Sequence, residues 1–182
     1  MTRRLLTAVV IAIVGVATGG LAARAAAATR AEDHTLRADT IVQMLRFVEW
    51  TDRARGRALT VAVVGNLDLA DALRDACASL QPGGRPVLVV DAASARAAAD
   101  THADVVVLGA MPQTDARVVA AQLAGRGMLT VGDGDFPDAA HLALNLFADG
   151  GRYRFQANPA AAARAGASLS SRLLRLAQVV ED

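Results

Sequence analysis

The chain has no lysine: all 19 of its basic residues are arginine. That excludes catalysis through a lysine Schiff base and any Walker-type phosphate lysine. Aromatic residues are nearly as scarce. Six in 182 residues cannot build the stacking platform that holds single-stranded nucleic acid. Cys77 is the only cysteine, so no internal disulfide can form, and it reads as a small buried hydrophobe on a helix rather than a reactive thiol. The histidines, His34, His102 and His141, show no i, i+4 pair and no cysteine partner, which argues against zinc. No serine among Ser94, Ser168, Ser170 and Ser171 lies in a G-x-S-x-G turn. Asp133, Asp135 and Asp138 suggest a calcium loop, but Pro137 and Leu144 stand where further ligands are needed, so the segment reads as a solvated turn. These residues call for no cofactor.

Apolar residues are plentiful, at 53%, and 42 of the residues are Ala. Disorder, which needs low hydrophobicity and high net charge, is excluded. The first 28 residues read as a secretory leader. Arg3-Arg4 is a charged start, residues 5–23 carry no charge, and Ala22 to Ala28 offers small-x-small cleavage sites. An uncleaved membrane anchor is the alternative, weakened by Gly15, Gly19 and Gly20. Removing residues 1–28 deletes Arg3, Arg4 and Arg24 and changes the net charge from +1 to −2, with 16 Arg against 18 acids. A mature chain, 29–182, of that sign is a poor binder of nucleic acid.

Along the mature chain, Ile41, Met44, Leu45 and Val48 fall at i, i+3, i+4 and i+7, which predicts a helix over 36–50. Apolar runs at 59–64, 86–90, 105–108 and 128–131 read as buried strands. Between them lie helices expected over 69–80 with Asp68 as cap, over 91–101, and over 115–123. Leu142 to Phe147 and Arg152 to Gln156, around Gly150-Gly151, form a hairpin. Asn158-Pro159 opens a short helix that stops at Gly166, and Ser168 caps a last helix to Val180. Alternation of strand and helix predicts one three-layer α/β domain, with a mostly parallel sheet, an edge β-hairpin and helices on both faces.

Two groups of residues are candidates for function. Leu169, Leu173, Leu176 and Val180 make one stripe of the last helix, and Leu174 and Val179 add apolar surface off it, beside Arg172. Phe47 and Trp50 likewise lie off the first helix's stripe. Apolar excess of this kind is either deeply buried or used at a subunit contact. The second group is Gly65, Asn66, Gly109 and Asp133, which stand at the carboxyl ends of strands, where open α/β sheets bind small molecules. Val64-Gly65-Asn66 lacks G-x-G-x-x-G, and Asp68 would oppose a phosphate.

Arg46-Phe47-Val48-Glu49-Trp50 resembles the K-F-V-E-W signature of the YfiR family of small periplasmic proteins. The likeness continues through 59–65, 83–87 and 128–133, and through Arg154-Phe155-Gln156-Ala157-Asn158, similar to R-F-E-I-N. It is strongest at Ala165-Gly166-Ala167-Ser168-Leu169-Ser170-Ser171-Arg172-Leu173-Leu174-Arg175-Leu176-Ala177, similar to A-G-L-x-I-S-S-x-L-L-x-L-A. Thr40-Ile41-Val42-Gln43-Met44 departs from the aromatic-rich F-L-Y-N-F, and with Cys77 alone the disulfide switch of some members is not available. The resemblance implies a non-enzymatic, homodimeric periplasmic repressor. It implies that the protein binds the sensor domain of an inner-membrane diguanylate cyclase, lowers cyclic di-GMP and biofilm formation, and is relieved by an outer-membrane lipoprotein. The competing expectation is a small-molecule binding protein using the strand-end cleft.

Overall fold

The computed structural model describes residues 26–50, 57–80, 85–109, 111–123, 126–134, 136 and 141–180. The apolar stretch of the expected leader, 5–23, lies outside the described residues, as do Asp135 and Asp138. The chain divides into two units, Met1–His34 and Thr35–Asp182. Residues 26–34 of the first are helical. The second holds the sheet and is described below.

It opens with helical residues 35–45 (α1), then β1 (Val48–Trp50), β2 (Leu59–Val64), α2 (Leu67–Leu80), β3 (Val87–Ala92), α3 (Ala95–Asp100) and β4 (Val105–Leu108). There follow α4 (Gln113–Leu123), β5 (Leu129–Asp133), β6 (Leu144–Asp149), β7 (Arg152–Ala157), α5 (Pro159–Arg164), β8 (Ala167–Leu169), α6 (Ser171–Leu174) and β9 (Gln178–Val179). The main sheet runs β3-β2-β4-β5-β6-β7-β9. Its first five strands are mutually parallel, β6 and β7 form the antiparallel hairpin, and β9 pairs parallel to β7 at the edge. Strands β1 and β8 form a separate antiparallel ribbon. This is the mixed α/β domain that the alternation of elements predicts.

Side-chain parity divides the sheet's two faces. Val61, Val63, Val105, Val107, Leu129, Val131, Leu144 and Leu146 pack with α1 and α2, through Ile41, Leu45, Leu69 and Leu73. Ala62, Val64, Val106 and Leu108 pack with α3 and α4, through Ala98, Ala99, Ala116, Ala120 and Leu123. All four residues of β4 are buried, as a central parallel strand covered on both faces requires. At roughly 1.5–3 kcal/mol for each buried Val or Leu, these two layers dominate the stability. Asp104, buried just before β4, accepts hydrogen bonds from Arg57 Nη1 at 3.0 Å and from the Thr60 N–H at 2.9 Å, which fixes the stagger of β2 against β4.

Several local expectations are corrected. The first helix ends at residue 45 and not at Trp50, because Val48–Trp50 is captured by Ala167–Leu169. Val48 is buried, Glu49 exposed and Trp50 half-buried, a period of two. Val48 met the helical spacing by coincidence. The expected last helix from Ser168 to Val180 is three elements: β8, the one-turn α6, and β9. Ser170 caps α6, accepting from the Leu173 N–H at 3.3 Å, whereas Ser168 reaches Glu49 Oε2. Asn66 rather than Asp68 caps α2, accepting from the Leu69 N–H at 3.0 Å, and Asp68 sits in the first turn, where negative charge favours the helix dipole. Asp91 and Ala92 extend β3, and Ser94 starts α3.

Cys77 lies buried on α2 against the first core layer. Burial pushes its thiol up to about 11. The neutral thiol is thus favoured by folding, so its contribution to stability is complete below pH 9 and lost as pH rises toward 11. A thiol reagent at pH 8 should modify Cys77 only at the rate of unfolding. The fall in stability between pH 9 and 11 should be smaller in Cys77→Ala. Rapid labelling of the native protein would contradict the burial.

Candidate functional site

The first group of candidate residues lies on the two strands of the ribbon and on the segments next to them in sequence. The register of the ribbon is Val48↔Leu169, Glu49↔Ser168 and Trp50↔Ala167, and the Ser170 N–H donates to Phe47 O at 3.0 Å. Gly166, at φ 75°, makes the left-handed turn that ends α5 and starts β8, a conformation open to glycine at little cost. Val48, Leu169 and Leu173 point into the core, and Trp50 and Leu174 pack at its margin. Phe47 is 36% exposed, Leu176 76% and Val179 51%, and Arg172 is exposed beside them in sequence. The expected surface group therefore separates. Leu169 and Leu173 serve the core, Trp50 and Leu174 are intermediate, and Phe47, Arg172, Leu176 and Val179 face solvent. Leu174 and Val179 are not one helical flank, since they belong to α6 and β9.

The second group lies at the point where the strand order reverses. From β2 the chain goes through α2 to β3 on one side, then through α3 to β4 on the other, so β2 and β4 are neighbours whose connections leave to opposite faces. Ligands of doubly wound sheets bind outside such a switch point. Here Gly65-Asn66 and Gly109 are in direct contact. The Gly109 N–H donates to Val64 O at 2.9 Å, and a Cβ on Gly109 would stand 2.6 Å from Asn66 Cβ and 3.0 Å from Val64 O. Asp133 has a different setting. It is fully buried at the end of β5, on the α1 side, where Arg37 Nη1 donates to its Oδ1 at 3.2 Å. Arg37 Nε also donates to the Tyr153 hydroxyl at 2.9 Å, and the guanidinium carbon lies 5.2 Å from that ring's centre. Thus α1, β5 and β7 are tied together through one arginine. Sequence reasoning found Asp133 but missed Arg37 and Tyr153, because nothing local marks a partner 96 or 116 residues away. Among the described residues, no three His, Cys, Asp or Glu side chains stand together as a metal site would require, and no helix is long and apolar enough to cross a membrane.

Comparison with known proteins places these features. A family model described as YfiR/HmsC-like matches residues 34–178. A search of curated proteins finds no match. Among solved structures, the ABC domain in complex with L-Trp from Streptococcus pneumonia is similar at a TM-score of 0.54 and 11% identity, over 79% of this chain and 60% of that one. A conserved domain protein from Vibrio cholerae is similar at a TM-score of 0.51 and 13% identity, over 78% and 59%. The chain thus spans about three fifths of each of these structures, and at such identities the likeness is one of fold alone.

Two substitutions test the geometry. Gly109→Ala should cost roughly 1–3 kcal/mol in urea unfolding, the range for overpacking, because its nearest neighbours include backbone that cannot move aside. A cost below about 0.5 kcal/mol would refute the close approach. Arg37→Met strips a cation from the buried Asp133 and should cost about 3 kcal/mol, the low end for a broken buried pair because the arginine is partly exposed. Asp133→Asn combined with Arg37→Met should recover part of that loss.

Proposed function

Because the chain belongs to the YfiR/HmsC-like family over residues 34–178, we propose that it is a periplasmic regulator acting by binding rather than catalysis. In this reading residues 1–28 export it and are removed, and the mature domain holds the periplasmic sensor domain of an inner-membrane diguanylate cyclase inactive. Cyclic di-GMP and biofilm formation are thereby lowered. An outer-membrane lipoprotein relieves the repression, and the working form is a homodimer.

The observation that carries the reading is the family match across both ends of one ribbon. The matched span, 34–178, takes in the signature-like segment 46–50 and the segment 165–177, which lie far apart in sequence and pair through β1 and β8. In the segments that flank the ribbon strands in sequence, Phe47, Leu176 and Val179 offer apolar side chains to solvent, the kind of side chain a protein partner covers. The place of Gly65, Asn66 and Gly109 at the carboxyl ends of β2 and β4, where the strand order reverses, is what favours the alternative, small-molecule binding. Ligand-dependent thermal stabilisation of the purified protein without a protein partner would favour it.

Deleting the gene should raise cyclic di-GMP, and restoring it should lower the level again. A chain carrying Leu176→Asp and Val179→Asp should fold, by circular dichroism, yet bind the cyclase sensor domain roughly thirtyfold more weakly, equivalent to losing about 2 kcal/mol at an interface centre. Phe47→Asp is the independent second variant. No rise of cyclic di-GMP in the deletion strain under any growth condition would overturn the function. Full repression by both folded variants would overturn the surface.

A further inference from the structure

The α3–α4 face carries a groove that the proposed regulatory surface does not use. It has a volume of about 470 Å³ and is lined by Ala95, Arg96, Ala99, Asp100, Gln122 and Arg126. Ala95 and Ala99 are buried, while Arg96, Asp100, Gln122 and Arg126 are exposed. Arg96 and Asp100 come from α3. Gln122 comes from the last turn of α4, and Arg126 from the turn after it, where its N–H donates to Leu123 O at 3.1 Å. The groove therefore brings guanidinium groups from two different elements to one opening.

Several arginines of the domain are engaged by carboxylates, whereas, among the described residues, Arg96 and Arg126, like Arg152, Arg172 and Arg175, are not; what sets Arg96 and Arg126 apart is that both line one groove. Arg37 is engaged by Asp133, Arg57 by Asp104, Arg74 by Asp71 and Asp91, and Arg154 by Asp149. Arg96 and Arg126 form no ion pair and no side-chain hydrogen bond among the described residues. Asp100 stands four residues after Arg96, but acid after base is the weaker order along a helix, and the two do not pair. Asp100 offsets one of the two positive charges at the groove, so the opening keeps a net charge of +1, which favours an anion held on the side of the two arginines. A phosphate suits that position, because guanidinium presents paired N–H donors to its oxygens. Gln122 and Asp100 add hydrogen-bonding groups for hydroxyls, and the alanine floor suits a short carbon chain. The volume falls within the range of small-molecule sites.

We propose that the α3–α4 groove binds a phosphate group carried on a small polyol, either free or as a phospholipid headgroup. This inference stands on the groove alone and is independent of cyclase repression. Calorimetric titration at low ionic strength, with sn-glycerol 3-phosphate, inorganic phosphate and phosphatidylglycerol vesicles as probes, tests it. Saturable binding to the wild-type protein should weaken about tenfold in Arg96→Ala and again in Arg126→Ala, as for a lost hydrogen bond between charged groups. Arg152→Ala, an equal change of charge on the hairpin, should leave binding within about twofold, since Arg152 does not line the groove. Binding of glycerol 3-phosphate in this pattern supports a soluble ligand. The same pattern with vesicles of phosphatidylglycerol, and not with those of phosphatidylcholine, supports a headgroup. Inorganic phosphate binding as tightly as glycerol phosphate would overturn the polyol part. Absence of binding by every probe, or equal weakening in Arg152→Ala, would overturn the site.

Discussion

Pairing of Val48–Trp50 with Ala167–Leu169 is the constraint on which the rest of this domain depends. It supplies only three pairs of residues, but it fixes both ends of the domain at one place. On one side it holds the exit of α1, whose Ile41, Val42 and Leu45 are buried in the first core layer. On the other it sets the direction in which α6 leaves, with Leu173 entering the same layer. Without the ribbon, α1 would be joined to the sheet by side-chain packing and the Arg37 contacts alone. The ribbon thus turns a peripheral helix into a covering layer.

The sheet's own order works by a different means. The β2–β4 junction is held at its amino end by Asp104, which joins Arg57 and Thr60, and at its carboxyl end by the close approach of Gly109 to Asn66. Polar contacts stand at the two ends of strands whose middles are wholly apolar. This distribution follows from burial, because a buried polar group needs a partner whereas packed valines need only each other. Asp133 obeys the same rule at the end of β5, where Arg37 reaches it from a helix.

Legibility in the sequence followed the range of the interaction that forms each element. Val105–Leu108 and Leu59–Val64 are apolar on both faces, and a parallel strand covered on both sides needs nothing else, so both were readable. Asn158-Pro159 carries its own cap and was readable too, since Asn158 Oδ1 accepts from the Ala161 N–H three residues on. The end segments were not. Leu169, Leu173 and Leu176 satisfy a helical period, yet only Leu169 and Leu173 are buried, because β8 stops the helix from starting and β9 stops it from continuing. What decides those two or three residues is a partner strand elsewhere in the chain, and tertiary pairing overrides local spacing. The candidate surface was legible in composition but not in arrangement. Phe47, Leu176 and Val179 stood out in the sequence, whereas their separation from Leu169 and Leu173 required the strand pairing.

The ribbon also bears on when the domain can fold. Ser168 meets Glu49 across 119 residues, so the loop that must close is most of the domain. Closing a loop of that length is entropically costly, and contacts of such range form late. A chain emerging from its amino terminus can assemble β2, α2 and β3 from local sequence. It cannot complete the α1 layer until residue 169 has appeared. Until then Val48 and Trp50 remain without their strand partner. The later-made strand thus acts as the closing clasp of the earlier one.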